Sequence, residues 1–596
     1  MILQSLYQLY DRLADDPDYE IAKPGFSPQK ISFRVILKAD GSLFAIQDAR
    51  IKNDKGKLFA ESQIVLGEAK PSGSGLNPCF LWDNTTYMLG YKPDDPKPER
   101  TAKAYETFRD KHLNLEKSVG DPEFSLVCRF LENWTPKKSS EYVENHPEIK
   151  ELSTGFGIFQ IQGKTQSVHE NLHVQTWWKE QQPADSGNAG QCLITGKEAT
   201  IARLHPKIKS VAGAQSSGAS IVSFNAKAYE SYGKDQSFNA PVSEQAAFKY
   251  STALNSLLNG PKSNKHRMRI GDTTCVFWTE EPSIVEDVAS FFFSAGSNAQ
   301  EEIQDAAIQS KIETFLKALR LGTKVLDDWG ENPDTTKFYI LGLAPNAARL
   351  SVRFFHQSSI SQFINNLRTH HEDIKIIREF DQPKGKRLAD PEYPANWQLL
   401  KESARVTDEI PPLLAGALMR AILENTRYPE GLYLAVIRRI RADRTINYFR
   451  ACIIKGTLTR NHKLTIPTML DKTNTDPAYL LGRLFSALEK TQEDALGNLN
   501  AGIKDKFYSS ASATPASVFP RILRTYAHHL AKLNGGQKVN RERLIQDIIG
   551  EFTEFPSHLN LKDQGKFAIG YYHQRKDFFT KKEKPTSNSE TTNQSK

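Results

Sequence analysis

The hydrophobic pattern changes along the chain, and this change limits the folds it can adopt. Between residues 30 and 37 apolar residues alternate with polar ones, as in a strand with one buried face. Asp40-Gly41 follows and a second apolar run begins at Leu43, which predicts a β-hairpin. From Asp476 onward apolar residues recur with helical spacing. The sequence therefore predicts an α+β protein, an N-terminal mixed sheet and helix region followed by a C-terminal α-helical bundle.

The length of 596 residues exceeds what one hydrophobic core organises, so several domains are expected. We predict an N-terminal α+β region at 1–275, an α+β middle region at 276–400 and a mainly helical region at 401–596. The middle region combines a long helix at 300–327 with strands near 337–355. Within the helical region we predict one strand near 446–454 and a helical bundle at 469–596.

Composition limits the class of protein. The formal net charge of +8 permits nucleic-acid binding without requiring it. The five cysteines are scattered and form no C-x-x-C pair, which predicts reduced thiols rather than disulfides or a cysteine zinc site. The N terminus does not resemble a signal peptide, and no apolar run approaches the roughly 18 residues of a membrane span. We therefore expect a soluble, cytoplasmic protein that has no contact with a membrane.

Basic residues are concentrated between residues 436 and 463, where Asp443 is the one acid and Tyr448 and Phe449 supply rings. Arginine forks match phosphate oxygens, and aromatic rings offer stacking surfaces to unpaired bases. The segment therefore predicts contact with a nucleic-acid backbone, and a basic helix face is the plainer alternative. The candidates are Arg438, Arg439, Arg441 and Arg444. A further cluster contains Lys504, Lys506, Arg521 and Arg524.

The stretch from Gln191 to Asn239 is rich in small and amide residues, and we expect loops and short strands there. Small residues allow a ligand to approach the backbone, amides can read base edges, and hydroxyl groups can bind phosphate. A well-packed loop is the structural alternative. Our candidates for direct DNA contact are Gln215, Ser216, Ser217 and Asn225, with Lys70, Ser72 and Ser74 as second choice. Our candidates for neighbouring phosphate contacts are Arg203, Lys207 and Lys209.

Catalytic patterns are weak. His169, Glu170 and His173 match the HExxH pattern of zinc peptidases, but no third ligand is evident, and surface histidines before a helix anchored by Trp177 and Trp178 are the alternative. Glu68-Ala69-Lys70, with Asp48 or Asp54, resembles half of a metal-dependent nuclease site. Residues 370–373 (His-His-Glu-Asp) fit a solvated helix face better than a metal cluster. We predict no catalytic residue, metal or cofactor, and keep the peptidase and a stand-alone nuclease as alternatives.

Several longer blocks of sequence resemble one known family. They include Cys192-Leu-Ile-Thr-Gly-Lys, Ile201-Ala-Arg-Leu-His-Pro-Lys-Ile-Lys, Gly213-Ala-Gln-Ser-Ser-Gly-Ala-Ser and Leu341-Gly-Leu-Ala-Pro-Asn-Ala-Ala-Arg. Together with the opening Met1-Ile2-Leu3 and the late Gly570-Tyr-Tyr-His-Gln-Arg, they extend over the whole chain. The sequence resembles the large-subunit family of type I-C CRISPR surveillance complexes, called Cascade.

The resemblance implies a non-catalytic subunit that recognises the PAM in double-stranded DNA, promotes R-loop formation and supports the displaced strand. Guide pairing then supplies sequence specificity while protein reads the PAM. The implied partners are the CRISPR guide RNA, target duplex DNA, the handle-binding and backbone subunits, a small subunit and the helicase-nuclease. The resemblance also implies that the C-terminal bundle can be made separately by internal translation, and Met469 is our candidate start.

Overall fold

The computed structural model describes residues 1–52, 56–70, 75–153, 155–181, 188–270, 273–293, 334–382, 389–406, 409–497 and 501–580. The predicted helix at 300–327 lies outside these residues. The α+β prediction is confirmed, because sheets and helices occupy the N-terminal part and the described elements after residue 359 are helices.

The strands are β1 (Phe26–Leu37), β2 (Leu43–Asp48), β3 (Ile51–Lys52), β4 (Leu58–Phe59), β5 (Glu61–Leu66), β6 (Trp82–Asn84), β7 (Phe156–Ile161), β8 (Ala189–Gln191), β9 (Glu198–Thr200), β10 (Arg267–Ile270), β11 (Thr273–Thr279), β12 (Lys337–Asn346) and β13 (Arg349–Ser359).

The helices of the first part are α1 (Ile2–Asp15), α2 (Thr85–Met88), α3 (Pro98–Val119), α4 (Pro122–Asn133), α5 (Pro136–Asn145), α6 (Ile149–Leu152), α7 (Leu172–Glu180), α8 (Glu244–Asn259), α9 (Ser263–His266) and α10 (Val285–Phe293). Those of the second part are α11 (Ile360–Ile374), α12 (Asn396–Lys401), α13 (Pro412–Leu423), α14 (Glu430–Asp443), α15 (Tyr448–Arg460), α16 (Pro477–Leu496), α17 (Ile503–Ala511), α18 (Pro515–Leu530), α19 (Gly535–Ile549) and α20 (Leu561–Asp577).

The long strand β1 organises the N-terminal sheet. It pairs antiparallel with β2, as the hairpin pattern predicts, and antiparallel with β5 through its first half. On its other edge it pairs in parallel with β7, which continues to β6. Its inward-facing Phe33, Val35 and Leu37 are buried in a core that includes residues of α3 and α4. Alternation therefore predicted both the strand and its buried face.

A second sheet has the strand order β10-β11-β12-β13. Two residues, Ala347 and Ala348, connect β12 to β13, and Ala347 has a positive φ of 52°. β12 and α11 bury Phe338, Ile340 and Phe363 in the core of the second part. The predicted strands near 337–355 are therefore confirmed.

The chain forms two compact units. Unit 1 contains 1–210, 214–263 and 346–350, and unit 2 contains 211–213, 264–345 and 351–596. The division into three regions with boundaries at 275 and 400 stays a prediction. None of the helices in the described part of the chain is both long and apolar enough to cross a membrane.

The prediction of a strand near 446–454 is wrong, because this segment lies in α15 and the Ile446-Asn447 that precedes it. The Asn447 side chain accepts a hydrogen bond from the Arg450 amide and caps the helix. Ile453 and Ile454 are both buried, so the helix is covered on more than one face. A helix buried on several sides has a continuous apolar run, which periodicity alone cannot separate from a strand.

The C-terminal bundle depends on a close crossing of α16 and α20. A Cβ atom added to Gly482 would lie 2.0 Å from the Phe567 carbonyl oxygen, and one added to Gly570 would lie 2.1 Å from that of Tyr479. Both glycines therefore place one helix backbone directly against the other. The buried Tyr571 then donates a hydrogen bond of 2.6 Å to Glu489 across the pair.

We predict that Gly570→Ala destabilises this bundle by about 1–3 kcal/mol, because the new methyl group must push the two helices apart. Hydrogen exchange of the full chain checks this, and the amides of α16 and α20 should exchange faster. Gly536→Ala is the matched control, since a Cβ atom there meets nothing within 4 Å. Equal exchange in the two variants would contradict the close crossing.

Candidate nucleic-acid interface

Helix α8 holds the basic loop at 203–209 in place. Ser243 caps this helix by accepting a hydrogen bond from the Ala246 amide. The Asn255 side chain accepts from the Lys209 amide at 2.8 Å and donates to the Lys207 carbonyl at 3.1 Å. Buried His205 lies 2.6 Å from the Tyr250 hydroxyl, and burial lowers the pKa of this histidine to about 4. These contacts fix the backbone while Lys207 and Lys209 remain exposed.

The candidate segment at 215–217 forms a tight turn beside this loop. The Gly218 amide donates to the Gln215 carbonyl at 2.9 Å, and Ala219 exchanges two backbone hydrogen bonds of 2.9 Å with Ile208. Gly218 has a φ of 91°, and a Cβ atom there would lie 3.0 Å from the Ile208 carbonyl oxygen. Glycine is therefore required where the two segments meet. The structure brings the exposed Gln215, Ser216 and Ser217 next to Lys207 and Lys209.

Arg349 orients Asn225 and was not among the residues predicted from sequence. Ser220 exchanges backbone hydrogen bonds with the Arg349 neighbourhood, donating to Ala348 at 3.0 Å and accepting from Leu350 at 2.9 Å. The Arg349 guanidinium donates to Asn225 Oδ1 and lies 4.4 Å from the centre of the Tyr229 ring. Because arginine only donates, the amide must turn its oxygen to Arg349, and its Nδ2 group remains available to donate.

Other basic groups lie close to these candidates. Desolvation lowers the pKa of the Lys209 ammonium, and the charge of Lys30 on β1 lowers it further, although the Lys209 residue as a whole is exposed. Exposed Arg203 accepts a backbone hydrogen bond of 3.3 Å from Ser237. Lys30 lies far from Lys209 in sequence, so only the fold could identify it.

Lys70 has a structural role. Its ammonium lies 2.6 Å from Oδ1 of Asp83, donates to the Asn77 carbonyl at 2.9 Å and covers the Tyr87 ring at 3.5 Å. Asp83 is fully buried, and burial raises its pKa while Lys70 opposes that rise. Ser72 and Ser74 lie outside the described residues.

The four candidate arginines on α14 and at its C-terminal end divide into two groups. Arg438, Arg441 and Arg444 are exposed. Arg439 is half-buried and forms an ion pair of 2.6 Å with Asp443, one helical turn along. The exposed three can therefore present their guanidinium groups to a ligand, whereas Arg439 is partly occupied within the protein.

Three later cations of the same cluster are buried and paired, whereas Lys463 is exposed. Arg450 binds Glu402 at 2.7 Å and Asp443 at 2.8 Å. Arg460 binds Asp373 at 2.6 Å, and Lys455 donates to the Asp373 carbonyl at 2.9 Å at the end of α11. With the partly buried Arg439, four of the eight Lys and Arg residues between 436 and 463 are therefore bound within the fold.

The fold places two separate basic segments near each other in unit 2. Ser509 on α17 donates to the Arg441 carbonyl at 2.8 Å, which joins the end of α14 to α17. Arg521 on α18 lies 5.4 Å from the centre of the Phe507 ring on α17. Lys506 and Arg524 are exposed on the same helices, whereas Lys504 turns toward the Tyr571 ring at 5.6 Å. We call Arg438, Arg441, Arg444, Lys506, Arg521 and Arg524 the basic helical surface.

The HExxH segment lacks the geometry of a zinc peptidase. Residues 168–170 form a 3-10 turn, and α7 begins only after Asn171, so His169 and His173 do not lie on one helix. Glu170 accepts a hydrogen bond of 2.7 Å from the Ser167 amide. His169 is buried and its pKa falls to about 4, which corrects our expectation of two surface histidines. The expected anchoring of the helix by Trp177 is confirmed, because this ring is buried.

The other polar clusters are also structural. His370 and His371 are buried rather than solvated, and His370 Nδ1 lies 2.6 Å from the Tyr428 hydroxyl. Asp48 forms an ion pair of 2.8 Å with Arg50, and Asp54 lies outside the described residues. Among the described residues, no group of three or more His, Cys, Asp or Glu side chains could hold a metal ion. All five cysteines are unpaired, and four are buried, as their spacing predicted.

Comparison with protein families identifies the class of protein. The chain matches the family described as CRISPR-associated protein (Cas_Csd1) over residues 6–579. It belongs to this family, whose members are the large subunits of type I-C Cascade. A search of curated proteins finds no match. The resemblance noted from the sequence blocks is therefore confirmed over nearly the whole chain.

We predict that Lys70→Met destabilises unit 1 by about 3–5 kcal/mol at neutral pH, because it leaves Asp83 buried without its cation. Without Lys70 the pKa of Asp83 rises further, so the folded variant holds a proton that the unfolded chain releases. The loss should therefore grow as pH rises above the ordinary carboxyl range and shrink toward pH 5.

Urea unfolding of the wild type and variant at several pH values measures this difference. Lys52→Met on exposed β3 is the control and should change stability little at any pH. If Lys70→Met has wild-type stability but binds DNA weakly, the structural role is wrong and Lys70 contacts DNA instead.

Proposed function

We propose that this chain recognises the PAM in double-stranded DNA through unit 1, within an RNA-guided Cascade complex. The observation that carries the proposal is that hydrogen bonds fix an irregular backbone segment, and that this segment exposes amide, hydroxyl and ammonium groups. Gln215, Ser216 and Ser217 form one turn beside two lysines, and Asn225 is oriented by Arg349. Amide and hydroxyl groups beside cations combine base-edge and phosphate contacts.

The orientation of Asn225 makes the proposal specific. With its oxygen directed to Arg349, the side chain offers donors to DNA. Donors pair with acceptor atoms on base edges, which both grooves present. We therefore propose that Asn225 contacts an acceptor of the PAM and that Lys207, Lys209 and Arg203 contact nearby phosphates. We do not include Lys70 among the proposed DNA contacts, because its ammonium forms an ion pair with Asp83.

We further propose that the basic helical surface supports the displaced strand during R-loop formation. Its five exposed arginines and one exposed lysine lie on or at the ends of neighbouring helices of unit 2, and a single strand needs a run of cations along its backbone. In this proposal the guide RNA, the other Cascade subunits and the helicase-nuclease are partners, and DNA cleavage belongs to the helicase-nuclease. No catalytic residue is assigned to this chain.

The C-terminal bundle is proposed to act as a small-subunit-like module, with Met469 as the start of a separate product. Met469 precedes α16 and is exposed. In the full chain α20 also packs outside this module, since Tyr433 donates to the Leu561 carbonyl at 2.7 Å and Tyr572 donates to the Ile377 carbonyl at 2.6 Å. A separate product would leave these positions without their partners, so we expect it to bind another subunit there.

We predict that Asn225→Ala lowers the preference of the complex for an intact over a scrambled PAM by about tenfold, the effect of losing one base contact of 1–3 kcal/mol. Arg349→Met should act in the same direction, because the amide is then free to turn. Electrophoretic binding of the complex to duplexes with either PAM measures the ratio. Lys207→Gln is the contrasting variant and should weaken both duplexes equally.

The same assay tests the proposed function as a whole. The complex assembled without this chain should lose PAM-dependent binding. If it binds both duplexes as the complete complex does, the chain does not read the PAM, and metal-dependent peptidase and nuclease assays of the purified chain follow.

For the basic helical surface, we predict that replacing Arg438, Arg441 and Arg444 together by Gln weakens binding at every PAM to the same extent. The slope of log affinity against log salt should fall by about 2, at roughly 0.7 per lost single-strand contact. The triple Lys variant keeps the charges and should retain most of the slope. An unchanged slope in the Gln variant would remove this surface from the strand path.

A further inference from the structure

Tyr232 is the most exposed large aromatic side chain among the described residues. It is 99% exposed and occupies the tip of a two-residue turn in which Ser231 pairs with Lys234. Tyr232 and Gly233 have φ values of 53° and 69°, so both central residues are left-handed, as in a type I′ turn.

A tyrosine at this position opposes local stability. Left-handed backbone is unfavourable for a bulky residue, and Asn-Gly is the preferred sequence for such a turn. The ring also gains nothing from burial, because it lies almost wholly in water. The fold therefore gives no reason for tyrosine here, and an unexplained outlier of this kind points to function.

Hydrogen bonds to the Asn239 side chain hold the turn in place. Asn239 accepts from the Ser231 amide at 2.8 Å and donates to the carbonyls of Lys234 and Gln236 at 2.7 and 2.9 Å. At the other end of the segment Arg349 covers Tyr229 and binds Asn225. The ring is thus carried on a rigid support whose base contains the proposed PAM contact.

The surroundings of the ring indicate what it meets. Its chain neighbours Ser231, Gly233, Lys234 and Asp235 are exposed and carry no apolar side chain, and the other exposed ring of the segment, Tyr229, is covered on one face by Arg349. Protein interfaces surround an aromatic anchor with further packing contacts, whereas one isolated π-face suffices for a base. Lys227 and Lys234 are balanced by Glu230 and Asp235, so the ring rather than local charge determines the ligand.

We infer that Tyr232 stacks on an unpaired base next to the PAM and thereby holds the duplex open where strand separation begins. This inference rests on the proposed function and adds a residue that acts after PAM binding. Stacking of one base on an aromatic ring is tolerant of sequence, so Tyr232 should affect opening and leave PAM preference unchanged.

Tyr232→Asn tests the inference without harming the fold, because it creates the preferred Asn-Gly turn and removes only the ring. The complete guide-RNA complex is mixed with a PAM-containing duplex that carries 2-aminopurine at the first paired target position. Wild type should give a fluorescence rise, Tyr232→Asn a rise about tenfold slower, and Tyr232→Phe a rate within about twofold of wild type. A target already unpaired at this position needs no opening step, so its R-loop should form at similar rates with all three proteins.

Each other result overturns the inference. Opening by Tyr232→Asn at the wild-type rate means that the ring does not stack. Failure of Tyr232→Phe shows that the hydroxyl is what matters, and a defect on the unpaired target or in assembly of the complex indicates another partner. Failure of the proposed function is separable, since wild-type complex would then bind intact and scrambled PAM equally.

Discussion

The attachment of an irregular segment to α8 is the constraint on which the candidate interface depends. Most of residues 188–240 form neither helix nor long strand, so their backbone groups need individual partners. Asn255 supplies two for the basic loop, and Tyr250 holds His205 in the core. The exposed groups can therefore have fixed positions although few regular elements carry them. A loop held in this way can recognise a shape without the entropy cost of ordering on binding.

The same need for individual partners determines which cations are available to a ligand. Carboxylates and helix-end carbonyls bind Arg450, Lys455 and Arg460, and Asp83 forms an ion pair with Lys70. A buried cation must be paired, whereas an exposed one gains little from a partner. The number of basic residues in a segment of sequence consequently overstates the number of cations that a ligand can reach. Burial distinguishes the cations that stabilise the fold from those that can bind a ligand.

Local pattern was sufficient for the elements with one buried face. The hairpin of β1 and β2, the helical spacing that begins at α16 and the strands β12 and β13 all followed from it. It failed for α15, which is apolar on several faces, and for the histidines at 169, 370 and 371, which are buried where neighbouring polar residues suggested solvent. The sequence grouped Gln215 to Asn225 as candidates for DNA contact, which stays a prediction, and pairing across long separations was not accessible from sequence. Arg349 and Lys30 reach the site only through the fold, and Arg349 lies in a block that had been noticed for resemblance alone.

In the proposed function, Arg349 supports both of the contacts assigned to the candidate interface, the base-edge contact and the stacking contact. Through Asn225 it fixes which hydrogen-bonding groups face the ligand, and through Tyr229 it anchors the support of the strained turn at Tyr232. Base-edge contact and strand opening would then share one rigid foundation. A shift of the foundation would disturb both functions, whereas Asn225 and Tyr232 themselves affect only one each. Under the proposed function, we expect substitution at the surface to separate recognition from opening and substitution of Arg349 beneath it to affect both.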